Sequence, residues 1–121
     1  MLIEVSNGEI VDKLTIIEIK LVKIQDPAKR KNLEAERVVL EEAVNQILSK
    51  EHPLYQELYD LNAELWEIED ACREHEAEGD FGEAFIQTAR SVYLTNDERA
   101  AVKKKINEIT NSRLTEEKSY Q

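Results

Sequence analysis

The sequence is poor in cysteine, proline and glycine, with one, two and three of them among 121 residues. A single cysteine, Cys72, excludes an intramolecular disulfide and a cysteine-rich zinc site. The three glycines form no phosphate-binding loop. No apolar run approaches about 18 residues, so we expect no membrane insertion. Charged residues make up 35% and hydrophobic residues 41% of the chain, which excludes a low-complexity sequence. Because residues that form turns are so few, the composition favours a helical protein.

Basic residues are outnumbered, since 16 Lys and Arg stand against 26 Asp and Glu, a formal net charge of −10 at pH 7. Such a surface repels the phosphates of nucleic acids and of anionic membranes, so we expect no nucleic-acid partner. The first residues lack the basic region and long apolar run of a signal peptide, which favours a cytoplasmic location. The length predicts a single helical domain over residues 1–121.

The first two helices are predicted from capping residues and apolar spacing. Ser6 and Glu9 form a capping box at the start of the first helix. Its apolar residues recur at steps of four and three, as on one face of a helix: Ile10, Leu14, Ile17, Leu21 and Ile24. Asp26 and Pro27 suit the cap and first turn of a second helix, which we expect to reach Ser49.

The third predicted helix, which starts at Pro53, carries two neighbouring stripes at this spacing. One stripe is apolar and comprises Leu54, Leu58, Leu61, Leu65, Ile68 and Cys72. The other is mixed and comprises Tyr55, Tyr59, Asn62, Trp66, Glu69 and Arg73. Because two adjacent stripes indicate contacts with several neighbours, we expect this helix at the centre of the fold, ending at Gly79.

Two shorter helices are predicted after Gly79. Asp80 with Glu83 resembles a capping box for a fourth helix, and residues 95–98 form a further box that opens a fifth. The segment 112–121 has little periodicity, and we expect it to be a mobile tail. The predicted fold is therefore all-α, an antiparallel bundle of three long helices extended by two shorter C-terminal helices.

Polar residues at positions that the apolar pattern places inside are the candidate ligand-binding residues. They are Glu18, Asn62, Glu69, Arg73, Arg90, Tyr93 and Arg99. A buried charge is costly unless it is paired, so these groups should meet one another, a ligand or a partner chain. If they converge, the three guanidiniums would hold an anion; the alternative is that they form interhelical ion pairs. The sequence has no nucleophile–base set and no metal-binding motif, so we assign no catalytic residue, no cofactor and no metal.

The first helix has more apolar surface than one stripe accounts for. Ile16 and Ile19 point away from its main stripe, and one domain of this size would leave a side of the helix uncovered. This surplus predicts a homodimer built on helix one or helix three. It also suits another protein as a partner.

Three stretches together resemble a known family. They are residues 4–16 (EVSNGEIVDKLTI), 65–70 (LWEIED) and 89–100 (ARSVYLTNDERA). They resemble a family of small, functionally uncharacterised bacterial proteins, a domain of unknown function of about this length, and the similarity extends from Ile3 into the tail at residues 116–120. The resemblance implies a setting near glycosyltransferases and surface-polysaccharide enzymes, and it supplies no catalytic residue.

Two functions follow as hypotheses. The first is a non-enzymatic interaction module, an accessory to surface-carbohydrate biosynthesis, which the helical stripes and the surplus apolar surface favour. The second is a binder of a small anionic metabolite such as a sugar phosphate, or an enzyme acting on one. In that case Arg73, Arg90 and Arg99 would hold the anion and Glu18 or Glu69 would act as acid or base. A solvent-reachable cavity around these side chains would favour the second hypothesis, and a dry, ion-paired interior the first.

Overall fold

The computed structural model describes residues 1–119, which form an all-helical fold. The helices are α1 (Asn7–Lys23), α2 (Pro27–Asn45), α3 (Pro53–Glu78) and α4 (Glu83–Ile109). No strand occurs among the described residues. The prediction of an all-α protein is confirmed.

Most helix ends lie where the capping residues place them. The Ser6 hydroxyl accepts a hydrogen bond from the Glu9 amide, and Asp26 accepts one from Lys29, so both N-caps are formed. Pro53 opens α3. Gly79 ends α3 with a φ of 66°, a left-handed conformation that glycine adopts without strain.

The prediction of two short C-terminal helices is wrong, because they are one helix of 27 residues. Thr95 is buried inside α4, and the Asn96 side chain accepts a hydrogen bond from Arg99 instead of capping a new helix. The stretch contains neither glycine nor proline, and polar residues such as these cost a helix interior only about 0.5 kcal/mol each, so packing overrides them. The predicted box at Asp80 is also wrong, since the N-cap of α4 is Gly82. The Asp80 carboxylate accepts a hydrogen bond from the Gly82 amide over 3.2 Å but does not cap the first turn.

The centre of the fold is α1, not the third helix as predicted. α1 contacts α2, α3 and α4, whereas α3 contacts α1 and α4. The main core comprises Val11, Leu14, Val44, Leu48, Tyr55, Leu58, Leu61, Val102 and Ile106. In addition, α1 buries Gly8, Asp12, Thr15 and Ile19, a second seam of largely small and polar residues. The third helix has the longer apolar stripe, but α1 is enclosed around more of its circumference.

α2 is a peripheral helix. Among the helices of the described part it contacts α1 alone, and within it the side chains of Leu33 and Val44 are buried. It ends at Asn45 rather than Ser49, and Leu48 in the following turn still reaches the core. The valines on its outer side, Val38 and Val39, are 57% and 68% exposed.

α3 and α4 form an antiparallel hairpin that extends beyond α1. The buried residues of α3 end at Leu65, and those of α4 begin at Thr95. At the tip, Phe85 makes edge-on contacts with the rings of Phe81 and His75. We call residues 66–94 the distal hairpin.

The segment after α4 returns to the start of α1. The Asn7 amide donates a hydrogen bond to the Ser112 hydroxyl over 2.9 Å, and the Ser6 hydroxyl donates one to Glu116 over 2.9 Å. The predicted tail, residues 112–121, is therefore anchored at Ser112 and Glu116, and its last two residues lie outside the described part.

Candidate functional site

A buried polar cluster joins α1, α3 and α4. Its centre is the carboxylate of Asp12, which is 1% exposed. Arg99 of α4 donates to both oxygens of this carboxylate, through Nε over 2.9 Å and through Nη2. Asn62 of α3 donates from Nδ2 to Asp12 Oδ1 and to the Thr15 hydroxyl, each over 2.9 Å. The carboxylate is thus compensated by a bidentate guanidinium and an amide, as a buried charge requires.

Local sequence explains why the cluster forms. Thr15 lies three residues after Asp12 on α1 and donates its hydroxyl proton to the Asp12 carbonyl oxygen. Gly8 lies one turn before Asp12, where α4 passes so close that an added Cβ would lie 2.5 Å from the Lys103 carbonyl oxygen. The absence of a side chain at Gly8 therefore lets α4 approach and brings Arg99 within reach of Asp12.

The cluster continues toward the start of α1. Lys103 Nζ lies 2.6 Å from Glu9 Oε2 and 4.0 Å from Asp12 Oδ2. The Gly8 amide donates to the side-chain oxygen of the buried Asn107 over 2.6 Å. Hydrogen bonds to Asp12 raise the pKa of the Arg99 guanidinium, against the opposing effect of burial, so Arg99 stays charged at any pH at which the protein folds.

A groove of about 280 Å³ lies beside the cluster, between the second half of α1 and the α3–α4 pair. Its apolar wall includes Ile16 and Trp66, and its charged groups are Lys20, Glu69 and Arg99. The complete lining is Ile16, Ile19, Lys20, Asn62, Leu65, Trp66, Glu69, Asn96 and Arg99. The groove has room for a small molecule with a few polar groups.

Three of the seven predicted site residues come together. Asn62, Glu69 and Arg99 line the groove, and both Asn62 and Arg99 bond to Asp12. Arg99 thus forms the interhelical ion pair that was the alternative to anion binding. Its Nη1 group also donates to Asn96 over 3.2 Å, so protein acceptors hold both ends of this guanidinium.

The other four predicted residues lie elsewhere. Glu18 accepts a hydrogen bond from the Tyr55 hydroxyl and lies 3.4 Å from Lys50 Nζ. The positions of Arg73, Arg90 and Tyr93 correct the expectation of an inward orientation, because all three are exposed on the distal hairpin. Arg73 lies past the end of α1 on the face of α3 that carries Asn62, whereas Arg90 and Tyr93 lie about 180° and 120° around α4 from Arg99.

Sequence reasoning missed Asp12, Thr15 and Lys20. A usable signal existed for the first two, because Gly8, Asp12, Thr15 and Ile19 recur at steps of four, three and four on one face of α1. All four are buried. A seam of this kind goes unnoticed when apolar residues alone are counted.

The charged groups of the cluster are paired with one another. The Asp12 carboxylate accepts from Arg99 and Asn62, and the Glu9 carboxylate pairs with Lys103. Within residues 1–119, no three His, Cys, Asp or Glu side chains are grouped so that they could hold a metal ion. No described helix is long and apolar enough to cross a membrane.

Residues 1–121 match a protein-family model described as "Family of unknown function (DUF6165)". The chain belongs to this family. The match covers the whole sequence and agrees with the expectation of a domain of unknown function. No curated protein and no solved structure is detectably similar to the chain. The function of this family member must therefore be argued from its own surface.

The distal hairpin is the second candidate site of the molecule. It exposes Phe81, Ile86, Tyr93 and Leu94, with between 47% and 53% of each residue accessible. Ile86 and Tyr93 are seven residues apart and so share one face of α4, with the exposed Arg90 between them. Large apolar side chains grouped on a surface indicate an interaction site more often than single ones do.

Proposed function

We propose that this protein is a non-enzymatic interaction module and that its distal hairpin binds a helical segment of another protein. One observation carries the proposal: of the residues 66–94, all of them described, none is buried. Ile68, Phe85 and Val92 are half-buried, so the two helices pack against each other only in part and lack the fully buried face that normally stabilises helices in water. A bound third helix would supply that packing.

The position of the partner follows from where α1 ends. On α4, the hydrogen bonds to α1 fall at Arg99 and beyond, and the groove between them ends at Asn96. On α3, the cover that α1 provides ends near Trp66, which is half-buried. A partner helix would lie beyond these residues, against the exposed Tyr93 and Ile86 of α4. These two side chains lie about 100–120° around α4 from the row that continues Arg99 and Lys103.

The charge of the distal hairpin defines the partner further. Residues 66–94 contain eight Asp and Glu against two Arg. An amphipathic helix with apolar residues on one face and Lys or Arg at its borders matches this surface. Electrostatic attraction of this kind speeds association, and it weakens as salt rises.

The biological setting rests on the resemblance alone. The resemblance described from the sequence implies that the protein works beside glycosyltransferases and surface-polysaccharide enzymes. The proposed role is therefore an accessory subunit in surface-carbohydrate biosynthesis, acting in the cytoplasm, and the partner helix would belong to one of those enzymes.

Site-specific photo-crosslinking in cells tests the proposal. A benzophenone amino acid replaces Tyr93 on the distal hairpin or, as the matched control, the exposed Glu108 near the other end of α4. We expect an adduct with one defined protein from position 93 and none from position 108. With that protein purified, Tyr93→Ser should raise the Kd at least about tenfold, and Glu108→Gln should leave it unchanged. No adduct from position 93, or equal adducts from both positions, would contradict the proposal.

A second function is favoured by the groove, where Lys20 has no ion-pair partner among the described residues. We propose as the alternative that Lys20 holds a small anionic metabolite such as a sugar phosphate over Trp66, beside the Arg99 that is already bound to Asp12. Titration of the 15N-labelled protein with glucose 6-phosphate should then shift the Trp66 indole resonance, and Lys20→Gln should abolish the shift. An indole resonance that does not move removes this alternative and leaves the interaction module untouched.

A further inference from the structure

The outer side of α2 carries a heptad-like seam of its own. Lys31, Ala35, Val38 and Glu42 recur at steps of four, three and four, and all four are exposed. The seam that faces α1, which includes the buried Leu33 and Val44, has the same spacing. Each of its residues lies two positions after a residue of the outer seam. Two positions correspond to about 200° around a helix, so the two seams lie on opposite sides.

The charges on this seam lack partners within the chain. Lys31 and Glu42 form no ion pair or side-chain hydrogen bond with any residue from 1 to 119, whereas the neighbouring Arg37 pairs with both Glu34 and Glu41. Glu42 also has no basic residue three or four positions away along α2. The seam thus combines an apolar centre, at Ala35 and Val38, with one unpaired charge of each sign at its ends.

We propose that a second copy of the chain docks on this seam, with the two α2 helices antiparallel about a two-fold axis. In this register Lys31 faces the partner's Glu42, Ala35 faces the partner's Val38, and the axis repeats both contacts. Each end of the interface then contains one ion pair, and the small Ala35 lets the helices approach closely. The proposal is independent of the partner proposed for the distal hairpin, which lies on α3 and α4.

The charge pattern decides the orientation. A parallel pair in register would place Lys31 against the partner's Lys31 and Glu42 against the partner's Glu42, and facing like charges are destabilising. The antiparallel pair turns both repulsions into attractions. A seam that complements itself only when reversed is what an isologous two-fold interface requires.

The sequence predicts a dimer built on helix one or helix three, but in the fold the surplus apolar residues of helix one are largely covered. Ile19 is 3% exposed because α1 is covered by its own chain, and Ile16 is half-buried in the groove. α2, by contrast, contacts α1 and no other described helix, so its outer side is accessible along its length. Two 19-residue helices bury on the order of 1,000 Å², near the lower limit of a specific interface, so we expect a weak, reversible dimer.

Charge exchange at the seam tests the proposal, with the dimer Kd measured by sedimentation equilibrium. K31E and E42K should each raise the Kd at least about tenfold. Each substitution places side chains of the same charge opposite each other, at both ends of the interface. The double variant K31E/E42K should return the Kd to near the wild-type value, and so should an equimolar mixture of the two single variants. The matched control is K105E on α4, which should behave as wild type.

The outcomes are distinguishable from a loss of folding, since circular dichroism should show the same helicity for all variants. A wild-type chain that stays monomeric at about 1 mM overturns the proposal, as does a dimer that neither single variant weakens. Weakening by both single variants without recovery in their mixture overturns the antiparallel register. A dimer lost in the single variants and restored in the mixture supports it.

Discussion

At the level of single residues, Gly8 sets the distance between α1 and α4. An added methyl group would lie 2.5 Å from the backbone carbonyl oxygen of Lys103, an atom that cannot move without displacing α4. We expect Gly8→Ala to lower the free energy of unfolding by about 2–3 kcal/mol in urea denaturation. The control is Gly82→Ala, where the nearest atom, on the Asp80 side chain, is 3.5 Å away. Equal stabilities of the two variants would show that α4 does not pack as closely as described.

Asp12 is the residue on which the polar cluster depends. Asp12→Asn keeps the size of the side chain but leaves the half-buried Arg99 guanidinium without its counter-charge, so we expect a loss of about 3 kcal/mol in the free energy of unfolding. Asp70→Asn removes an exposed ion pair with Arg73 and should cost less than about 0.5 kcal/mol. A small effect at Asp12 would mean that the cluster is solvated rather than buried.

Glu116 gives stability a dependence on pH. Burial alone would raise its pKa, but hydrogen bonds from Ser6 and Asn107 and the charge of Lys103 outweigh it, so the pKa of Glu116 lies below its ordinary value. The ionised carboxylate of Glu116 is the form that accepts these hydrogen bonds. Its contribution is therefore complete above the ordinary glutamate pKa of about 4.3 and is lost as pH falls through the lower folded value.

The measurement is a comparison of wild type with Glu116→Gln from pH 7 to pH 3. We expect wild type to be more stable at pH 7 by less than about 1 kcal/mol, because the contact is largely exposed. The difference should shrink as the pH falls below about 4.3. A difference that stays constant with pH would show that the charge of Glu116 does not hold the C-terminal segment.

At the level of elements, the sequence predicts helix ends better than helix continuity. Ser6, Asp26, Pro53 and Gly79 act as their residue types indicate, because each satisfies or ends a local backbone pattern. The stretch at residues 95–98 has the same local appearance, yet α4 runs through it. Capping preferences of about 1 kcal/mol cannot decide a boundary where Thr95 gains burial by remaining helical.

The continuity of α4 can be tested with proline. If a helix began near Thr95, proline at position 96 would occupy a first turn and be tolerated. In a continuous helix, Asn96→Pro loses a backbone hydrogen bond and clashes with the preceding turn, so we expect it to cost about 3 kcal/mol more than Asn96→Ala. The alanine variant controls for the lost bond to Arg99. Equal thermal stabilities of the two variants would restore the two-helix interpretation.

At the level of the whole molecule, periodicity gives the face of a helix but not how far its neighbour extends. This is why Asn62 is predicted inside together with Arg73, which lies eleven residues later on the same face of α3 but is exposed. Arg90 differs, because it lies nine residues from Arg99, about 180° around α4, so its exposure follows from its face. The stripes on α3 and the face of α4 continue past the end of α1, and the sequence contains no local signal for where that cover stops. The same limit explains why the sequence predicts the third helix, and not α1, at the centre of the fold. The enclosure of α1 depends on contacts with residues about 90 positions away.

The isolation of α2 has a consequence for how the protein opens. Because it is attached to one neighbour, α2 can detach by local unfolding while α1, α3 and α4 stay assembled. Backbone amides of residues 27–45 should then exchange with deuterium well before those of residues 54–65, and slow exchange throughout α2 in a dilute sample would contradict this. A limited digest would report the same opening, since cleavage within residues 27–45 should precede cleavage within residues 54–65.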